Sequence, residues 1–391
     1  MSGTEFKREK KTDQPVIALC YDFDKTLSPD DMQAQGYIQS VGFNIGEFWE
    51  KSNGLASAND MDQNLAYMYT MKEEAAGKVL FTKKELAKYG SKVALFPGVE
   101  EWFERIRKYG EEKGVIIEHY IISSGLKEMI EGTSISKNGA FKRIYATSFY
   151  CNKNGVAVWP AQVVNYTNKT QFLFRISKGV LDVNDPAVND SFPADQLRVP
   201  FRNMIYIGDS DTDIPCMKLV NSHGGYSIGV FDPEKNDRRK VHKMIRENRI
   251  GYFAPADYSE GKELDKLIKL VIDKAVFNEQ LEDKKNAYKK EASLSREKSE
   301  EEQEKSDLLS ALESSANFKN THNIIRKLSQ YKNWQPDDIL NLLSIAYSNS
   351  QVRYILSDFD IKKFYLKILE KAPSDCEEVE LIREIIKPQD D

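Results

Sequence analysis

No glycine follows Gly261, although 21 lie at or before it, so the last 130 residues lack the residue that turns most freely. That excludes a loop-rich fold at the carboxy-terminal end and favours helices there. Long apolar runs are missing too: no stretch approaches the ~18 residues a membrane-spanning helix needs, and the first 14, MSGTEFKREKKTDQ, are polar throughout. A cytoplasmic setting is expected. Cys20, Cys151, Cys216 and Cys376 are far apart with no CxxC pair, and His119, His223, His242 and His322 do not cluster. Neither a zinc site nor a disulfide scaffold is expected from such spacing. A concentrated positive charge is also lacking. The net charge is −5, which argues against a general nucleic-acid binder.

What is present is a core-forming composition: 391 residues, 40% of them hydrophobic and 11% aromatic, enough for two or three domains. Apolar runs at 16–21 (VIALCY), 115–122 (VIIEHYII), 203–208 (NMIYIG) and 225–231 (GYSIGVF) alternate with helical patterns. Such alternation predicts βαβ units and an α/β fold with a Rossmann-like parallel sheet covered by helices on both faces. Two segments interrupt it. Residues 28–95 carry helical periodicity and many aromatics, and FPGVEEWFERI at 96–106 resumes the core helices with Pro97 as the expected start. Residues 140–168 read as a β-hairpin insertion around Asn154-Gly155.

The expected organisation is a polar tail at 1–14, a core at 15–27 and 96–277, a helical insertion at 28–95, a charged helical linker at 278–316 and a small helical domain at 317–391. Within the linker, SREKSEEEQEKSD at 295–307 has no apolar residue, which excludes a continuous coiled-coil seam and favours a solvated helix.

Chemistry is suggested where the strands end. Residues two apart on a strand share a face, so in YDFDKTL the carboxylates of Asp22 and Asp24 project together while Phe23 points away. Two close carboxylates in a dry site either separate their pKa values, giving a nucleophile and an acid/base, or hold a metal between them. The second apolar run ends in Ser123-Ser124-Gly125 before a helical stretch, a natural anion site, and the third ends in Gly208-Asp209 with Asp211 and Asp213 following. Carboxylates around an anion site require a hard cation, for which Mg²⁺ fits, and a basic side chain. Between the second and third runs, NKTQFLFRISKG at 168–179 offers Lys169, Arg175 and Lys178; Lys169 is best placed, with Lys178 second.

These residues resemble the motifs of the haloacid dehalogenase-like hydrolase superfamily, in a layout closest to its phosphoserine-phosphatase-like branch. Asp22, Asp24 and Thr26 match Asp-x-Asp-x-Thr; Ser123 matches the hydroxyl ending a hydrophobic strand; Lys169 matches the lysine before a helix; Gly208, Asp209 and Asp213 match Gly-Asp-x-x-x-Asp. The resemblance covers about residues 15–277. It implies a Mg²⁺-dependent phosphatase in which Asp22 forms an aspartyl-phosphate and Asp24 acts as acid and then base. It further implies that Asp22, Asp209 and the main-chain carbonyl of Asp24 hold the metal with Asp213 in support. Ser123 and Lys169 would bind phosphoryl oxygens, with Ser124 sharing that work or capping the helix. It makes 28–95 a helical cap that chooses a small phosphorylated substrate. The second aspartate argues against a dehalogenase. Phosphotransferase or mutase activity, or a non-catalytic scaffold for 317–391, are the alternatives, and residues 317–391 would offer a surface for a protein partner or self-association.

Three features have plainer readings. The basic run DRRKVHKMIRENR at 237–249 reads as the solvated face of a helix, and the aromatics of 28–95 as the core of the cap. The second DFD, at 358–360, opens a helical pattern, so Ser357 or Asp358 reads as an N-cap.

Overall fold

The computed structural model describes residues 6–294, 300–315, 317–372 and 377–386. Seven strands form one sheet: β1 (Val16–Tyr21), β2 (Ile116–Leu126), β3 (Arg143–Cys151), β4 (Ala157–Gln162), β5 (Met204–Gly208), β6 (Tyr226–Phe231) and β7 (Tyr252–Pro255). Their order is β4-β3-β2-β1-β5-β6-β7, parallel except for β4. β1 is central, pairing Val16 with Ile116 on one side and Ala18 with Met204 on the other. The chain leaves β1 toward β2 and β3, then returns to lay β5 to β7 on the opposite side. That makes the carboxyl end of β1 the switch point where open α/β sheets hold ligands.

Helices of six or more residues in this part are α1 (Ile45–Ala58), α2 (Gln63–Ala75), α3 (Lys83–Gly90), α4 (Val99–Glu112), α5 (Lys127–Gly132), α6 (Thr170–Lys178), α7 (Ile214–Ser222), α8 (Arg239–Arg246) and α9 (Glu263–Leu294). The period-2 alternation of β1 sorts them onto two faces. Ile17, Leu19 and Tyr21 pack in one apolar cluster with Trp102 and Ile106 of α4 and Ile268 and Ile272 of α9. Val16, Ala18 and Cys20 join the other, with Phe172 and Ile176 of α6, Met217 of α7 and Val241 of α8. Both faces of β1 are therefore buried, as its unbroken apolar run requires.

Residues 28–95 are helical, and Tyr37, Phe48 and Tyr67 are buried in the same cluster as Tyr21 and Phe23. The helices start on side-chain caps: Asn44 accepts from the Glu47 amide, Asp62 from the Asn64 and Leu65 amides, and Thr82 from the Glu85 amide.

Three local expectations are corrected. Residues 140–168 form the expected hairpin around Asn154-Gly155 but are not an insertion apart from the core: Arg143–Thr147 pair in parallel with β2, so β3 is a strand of the main sheet, and its far half joins the antiparallel β4. The Ser123-Ser124-Gly125 segment does not end β2, which continues to Leu126 with a register shift between Ser123 and Leu126. Helix α4 begins at Val99 behind Gly98 rather than at Pro97.

The chain divides into two compact units, residues 1–284 and 285–391, so the division falls inside α9. The second unit contains α10 (Glu300–Glu313), α11 (Phe318–Leu328), α12 (Pro336–Ser348), α13 (Ser350–Ile355), α14 (Phe359–Leu369) and α15 (Glu377–Ile386). Its own core includes Leu309, Leu312, Ile325, Leu343, Tyr365 and Ile382. Helix α10 lies in the stretch read as a solvated linker, yet it supplies Leu309 and Leu312 and buries Lys305, whose ammonium donates to the Asn333 carbonyl at 2.6 Å. Asp358 occupies the N-cap position of α14 but makes no capping hydrogen bond; its carboxylate pairs with His322 Nε2 at 2.9 Å. Cys20, Cys151 and Cys216 are free thiols, and Cys376 lies outside the described residues.

Candidate active site

Asp22 is the first residue past β1, and its amide still donates to the Ile207 carbonyl at 3.0 Å, so the sheet itself fixes where its side chain starts. The chain then turns sharply. The Phe23 carbonyl accepts from the Leu27 amide at 2.9 Å and the Ser28 amide at 3.2 Å, and Lys25 takes a left-handed φ of 57°. For a non-glycine residue that conformation costs about 1–2 kcal/mol, held here by the surrounding turn. Thr26 is buried in this turn with its main-chain carbonyl accepting from the Tyr258 hydroxyl at 2.8 Å.

Lys169, at the start of α6, is fully buried, and its ammonium lies 2.7 Å from Asp213 Oδ1 and 3.3 Å from Asp22 Oδ1. Lys178, the second candidate, points elsewhere, donating to the carbonyls of Val188 and Asp190. Arg175 likewise serves a loop, donating to the carbonyls of Asp182, Val183 and Asp185. Asp213 has all its capacity engaged: Oδ1 accepts from Lys169 and from the Tyr206 hydroxyl at 2.8 Å, and Oδ2 accepts from the Ser210 amide at 3.1 Å and its hydroxyl at 2.9 Å. Gly208 explains itself by crowding, since a Cβ there would stand 2.6 Å from Asp213 Oδ2. The motif glycine makes room for the motif aspartate.

Ser123 is buried, with its Oγ accepting from the Gly125 amide at 3.0 Å, which leaves its own proton free to donate. Ser124 is half-buried, and its carbonyl accepts from the hydroxyl of Tyr67 in α2 at 2.9 Å. The segment 28–95 also reaches the site through Asp62, whose Oδ2 accepts from Asn165 Nδ2 at 2.7 Å, and Asn64, whose Nδ2 donates to the Val164 carbonyl at 2.7 Å. Together these elements enclose a cavity of about 560 Å³ lined by Asp22, Asp24, Ser123, Ser124 and Asp209.

Burial raises the carboxyls of Asp22, Asp24 and Asp209, by amounts that depend on neighbours. Burial and Asp213 push the Asp22 carboxyl up to about 6, with Lys169 pulling it back. Burial and Asp213 push Asp209 up to about 7, opposed by Lys240. Asp24 stands well above the ordinary carboxylate range because of burial, then Asp31 and Asp22, although its Oδ1 accepts from the Met32 amide at 2.8 Å. Burial disfavours the Lys169 ammonium, but Asp213 and Asp22 outweigh it and hold its pKa above the usual lysine value.

The donor set fits a hard divalent cation. Oxygens of Asp22, Asp209 and Asp213 lie within 4.8 Å of one another, and the buried Asp22 Oδ1 has the Lys169 ammonium at 3.3 Å beside it, which leaves it room to accept a cation. Both Asp213 oxygens are already engaged, so Asp22 and Asp209 are the residues that would face such a cation directly, with Asp213 behind them.

The structure brings Asp22, Asp24, Ser123, Ser124, Lys169, Asp209 and Asp213 to one place. Sequence reading did not anticipate Asp31, Asp62, Asn165, Tyr206 or Lys240. Tyr206 alone carried a signal, as a strand residue whose hydroxyl needs a buried partner; the others lie in polar segments with no pattern linking them to the site.

An acidic cluster with one buried lysine thus lies beyond the carboxyl ends of a parallel sheet and beside a helical insertion. The chain belongs to the haloacid dehalogenase-like hydrolase family, whose sequence model matches residues 19–218. It is 29% identical to a protein from Borreliella burgdorferi described only as uncharacterized, the match covering 64% of this chain and 94% of that one. Among solved structures, a probable phosphoserine phosphatase from Vibrio cholerae is 12% identical, with a TM-score of 0.44 over 68% of this chain and 67% of that one. Cytosolic 5'-nucleotidase IIIB bound to cytidine is 14% identical, with a TM-score of 0.42 over 66% and 86%.

Proposed function

We propose that the chain is a Mg²⁺-dependent phosphatase that hydrolyses a phosphomonoester through an aspartyl-phosphate. One observation carries the reading: Asp22 and Asp24, two residues apart and both raised by burial, have different charged neighbours. Asp22 lies 3.3 Å from the buried Lys169 ammonium, which pulls its raised carboxyl back to about 6, whereas burial, Asp31 and Asp22 push Asp24 well above the ordinary carboxylate range and favour its protonated form. A nucleophile and an acid are thereby separated within one turn.

Bound by Asp22, Asp209 and the Asp24 main-chain carbonyl, with Asp213 in support, Mg²⁺ would supply charge neutralisation for the anionic ester. Ser123 and Lys169 bind phosphoryl oxygens, Ser123 by its free hydroxyl proton and Lys169 by its charge. The Asp22 carboxylate attacks phosphorus while the bond to the leaving oxygen breaks, and the Asp24 proton passes to that oxygen. Asp24, now ionised, takes a proton from water as the water oxygen attacks phosphorus, and the Asp22–phosphate bond breaks to release inorganic phosphate. The contacts of Tyr67, Asn64 and Asp62 hold the helical segment against the site and limit water during the first step.

The test is Mg²⁺-dependent release of p-nitrophenol from p-nitrophenyl phosphate. Asp22→Asn should abolish turnover with an unchanged circular dichroism spectrum; normal turnover by that variant would remove Asp22 as nucleophile.

A further inference from the structure

Helix α8 belongs to the basic run read from sequence as a solvated face. Its Val241 and Met244 are buried, as that reading requires, but Lys240 lies in the wall of the site cavity with its ammonium 3.6 Å from Asp209 Oδ2. A second cavity, of about 360 Å³, shares Lys240 with the first and is lined also by Arg239, Lys243, Asp211, Met244 and Glu247.

The charges of the two cavities point one way. In the site cavity the other exposed cation is Lys25, which Asp31 holds at 2.9 Å, and the wall from the helical insertion offers the neutral amides Gln63 and Asn64 beside Asp62. In the second cavity Glu247 is engaged by Arg249 at 2.6 Å and Arg239 by Asp237 at 2.6 Å, while Lys243 enters no ion pair among the described residues. Asp211 is the carboxylate there without an ion pair among those residues. A second anionic group held beside the catalytic centre therefore meets an open ammonium at Lys243 and a half-shared one at Lys240, opposed in that groove by Asp211 alone of the carboxylates lining it without an ion pair among the described residues.

We propose that the groove at Lys240 and Lys243 binds a second anionic group of the substrate, so that the preferred substrates are phosphomonoesters whose leaving group carries a further phosphate or carboxylate. The inference rests on the phosphatase reading for the identity of the first phosphate. It adds the chemistry of the leaving group and gives α8, outside the helical insertion, a part in specificity.

The test is calorimetric titration of the full chain with Asp22→Asn, which blocks turnover, in Mg²⁺. One pair of probes is fructose 6-phosphate and fructose 1,6-bisphosphate; the other is glucose 6-phosphate and 6-phosphogluconate. The member of at least one pair that carries two anionic groups should bind about tenfold more tightly, and the pair that shows this distinguishes phosphate from carboxylate. Lys243→Glu, an exposed substitution outside the lining of the site cavity, should erase the difference while leaving the member with one anionic group within about twofold. Equal affinities in both pairs, or a preference that survives Lys243→Glu, would overturn the inference. Hydrolysis of p-nitrophenyl phosphate by the unmodified chain is read alongside. Turnover without the preference sinks the groove and leaves the phosphatase standing; the preference without turnover does the reverse.

Discussion

The ammonium of Lys169 and the carboxylate of Asp213 meet at 2.7 Å with neither side chain exposed to solvent. Removing one partner of such a pair strands the other charge, a loss of about 3–5 kcal/mol. Lys169→Met should therefore lower unfolding free energy by about that amount in urea denaturation, as well as abolish phosphate release. The stability loss has a specific cause: Asp22 and Asp213 then face each other without an intervening cation. Unchanged stability would mean that the carboxylates find other compensation.

Gly208→Ala tests the crowding at Asp213. The added methyl would stand 2.6 Å from a carboxylate oxygen whose hydrogen bonds to Ser210 prevent retreat. Overpacking of this kind costs about 1–3 kcal/mol. The variant should melt at a lower temperature and bind Mg²⁺ more weakly by calorimetry, whereas an unaltered melting temperature would show that Asp213 can shift.

His119 provides the acid limb of stability. Its neutral ring is fully satisfied, with Nε2 donating to the Phe103 carbonyl at 3.2 Å and Nδ1 accepting from the Tyr21 hydroxyl at 3.0 Å, which itself accepts from Trp102 Nε1 at 2.8 Å. Burial, with Arg107 nearby, pushes its pKa down to about 3. The unfolded chain, with an ordinary value of about 6.5, binds the proton first, so this contribution is complete above that pH and is lost as pH falls from it toward the folded value. At pH 5 the loss is about 2 kcal/mol. The His119 ring resonances should stay those of neutral imidazole down to about pH 4 in the folded protein; titration near the ordinary value would remove the effect.

The division inside α9 sets where the chain can be cut. Val271 and Ala275 are buried in the first unit, and Glu279 accepts from Arg202 Nε at 2.8 Å. A chain ending at Lys284 should fold and keep p-nitrophenyl phosphate hydrolysis. One ending at residue 278 should melt lower, having lost a partly buried ion pair worth about 1 kcal/mol. Failure of the longer chain to fold would make the second unit part of the first unit's stability.

Strand β1, the two motif aspartates after it, Ser123 and the Gly208-Asp209 pair were legible because each belongs to a short-range pattern, in which an apolar run ends on a polar group. β3 was misassigned because its pairing partner lies in β2: nothing in RIYATSFYC distinguishes a strand that joins the main sheet from one arm of a separate hairpin. α10 was read as solvated because Leu309 and Leu312 follow a stretch of charge and acquire their meaning only against α11 and α12.

The sequence by itself determined the α/β class, the helical end after Gly261 and most of the residues that gather at the candidate site, since backbone propensity, periodicity and side-chain chemistry are local properties. Only the tertiary structure decided that Lys169 rather than Lys178 stands against Asp22, that Asp213 is saturated by Lys169, Tyr206 and Ser210, and that Lys240 reaches Asp209. The physical reason is that charge acts through space: a lysine acquires its role from the carboxylates that folding brings within a few ångströms, whatever their separation along the chain.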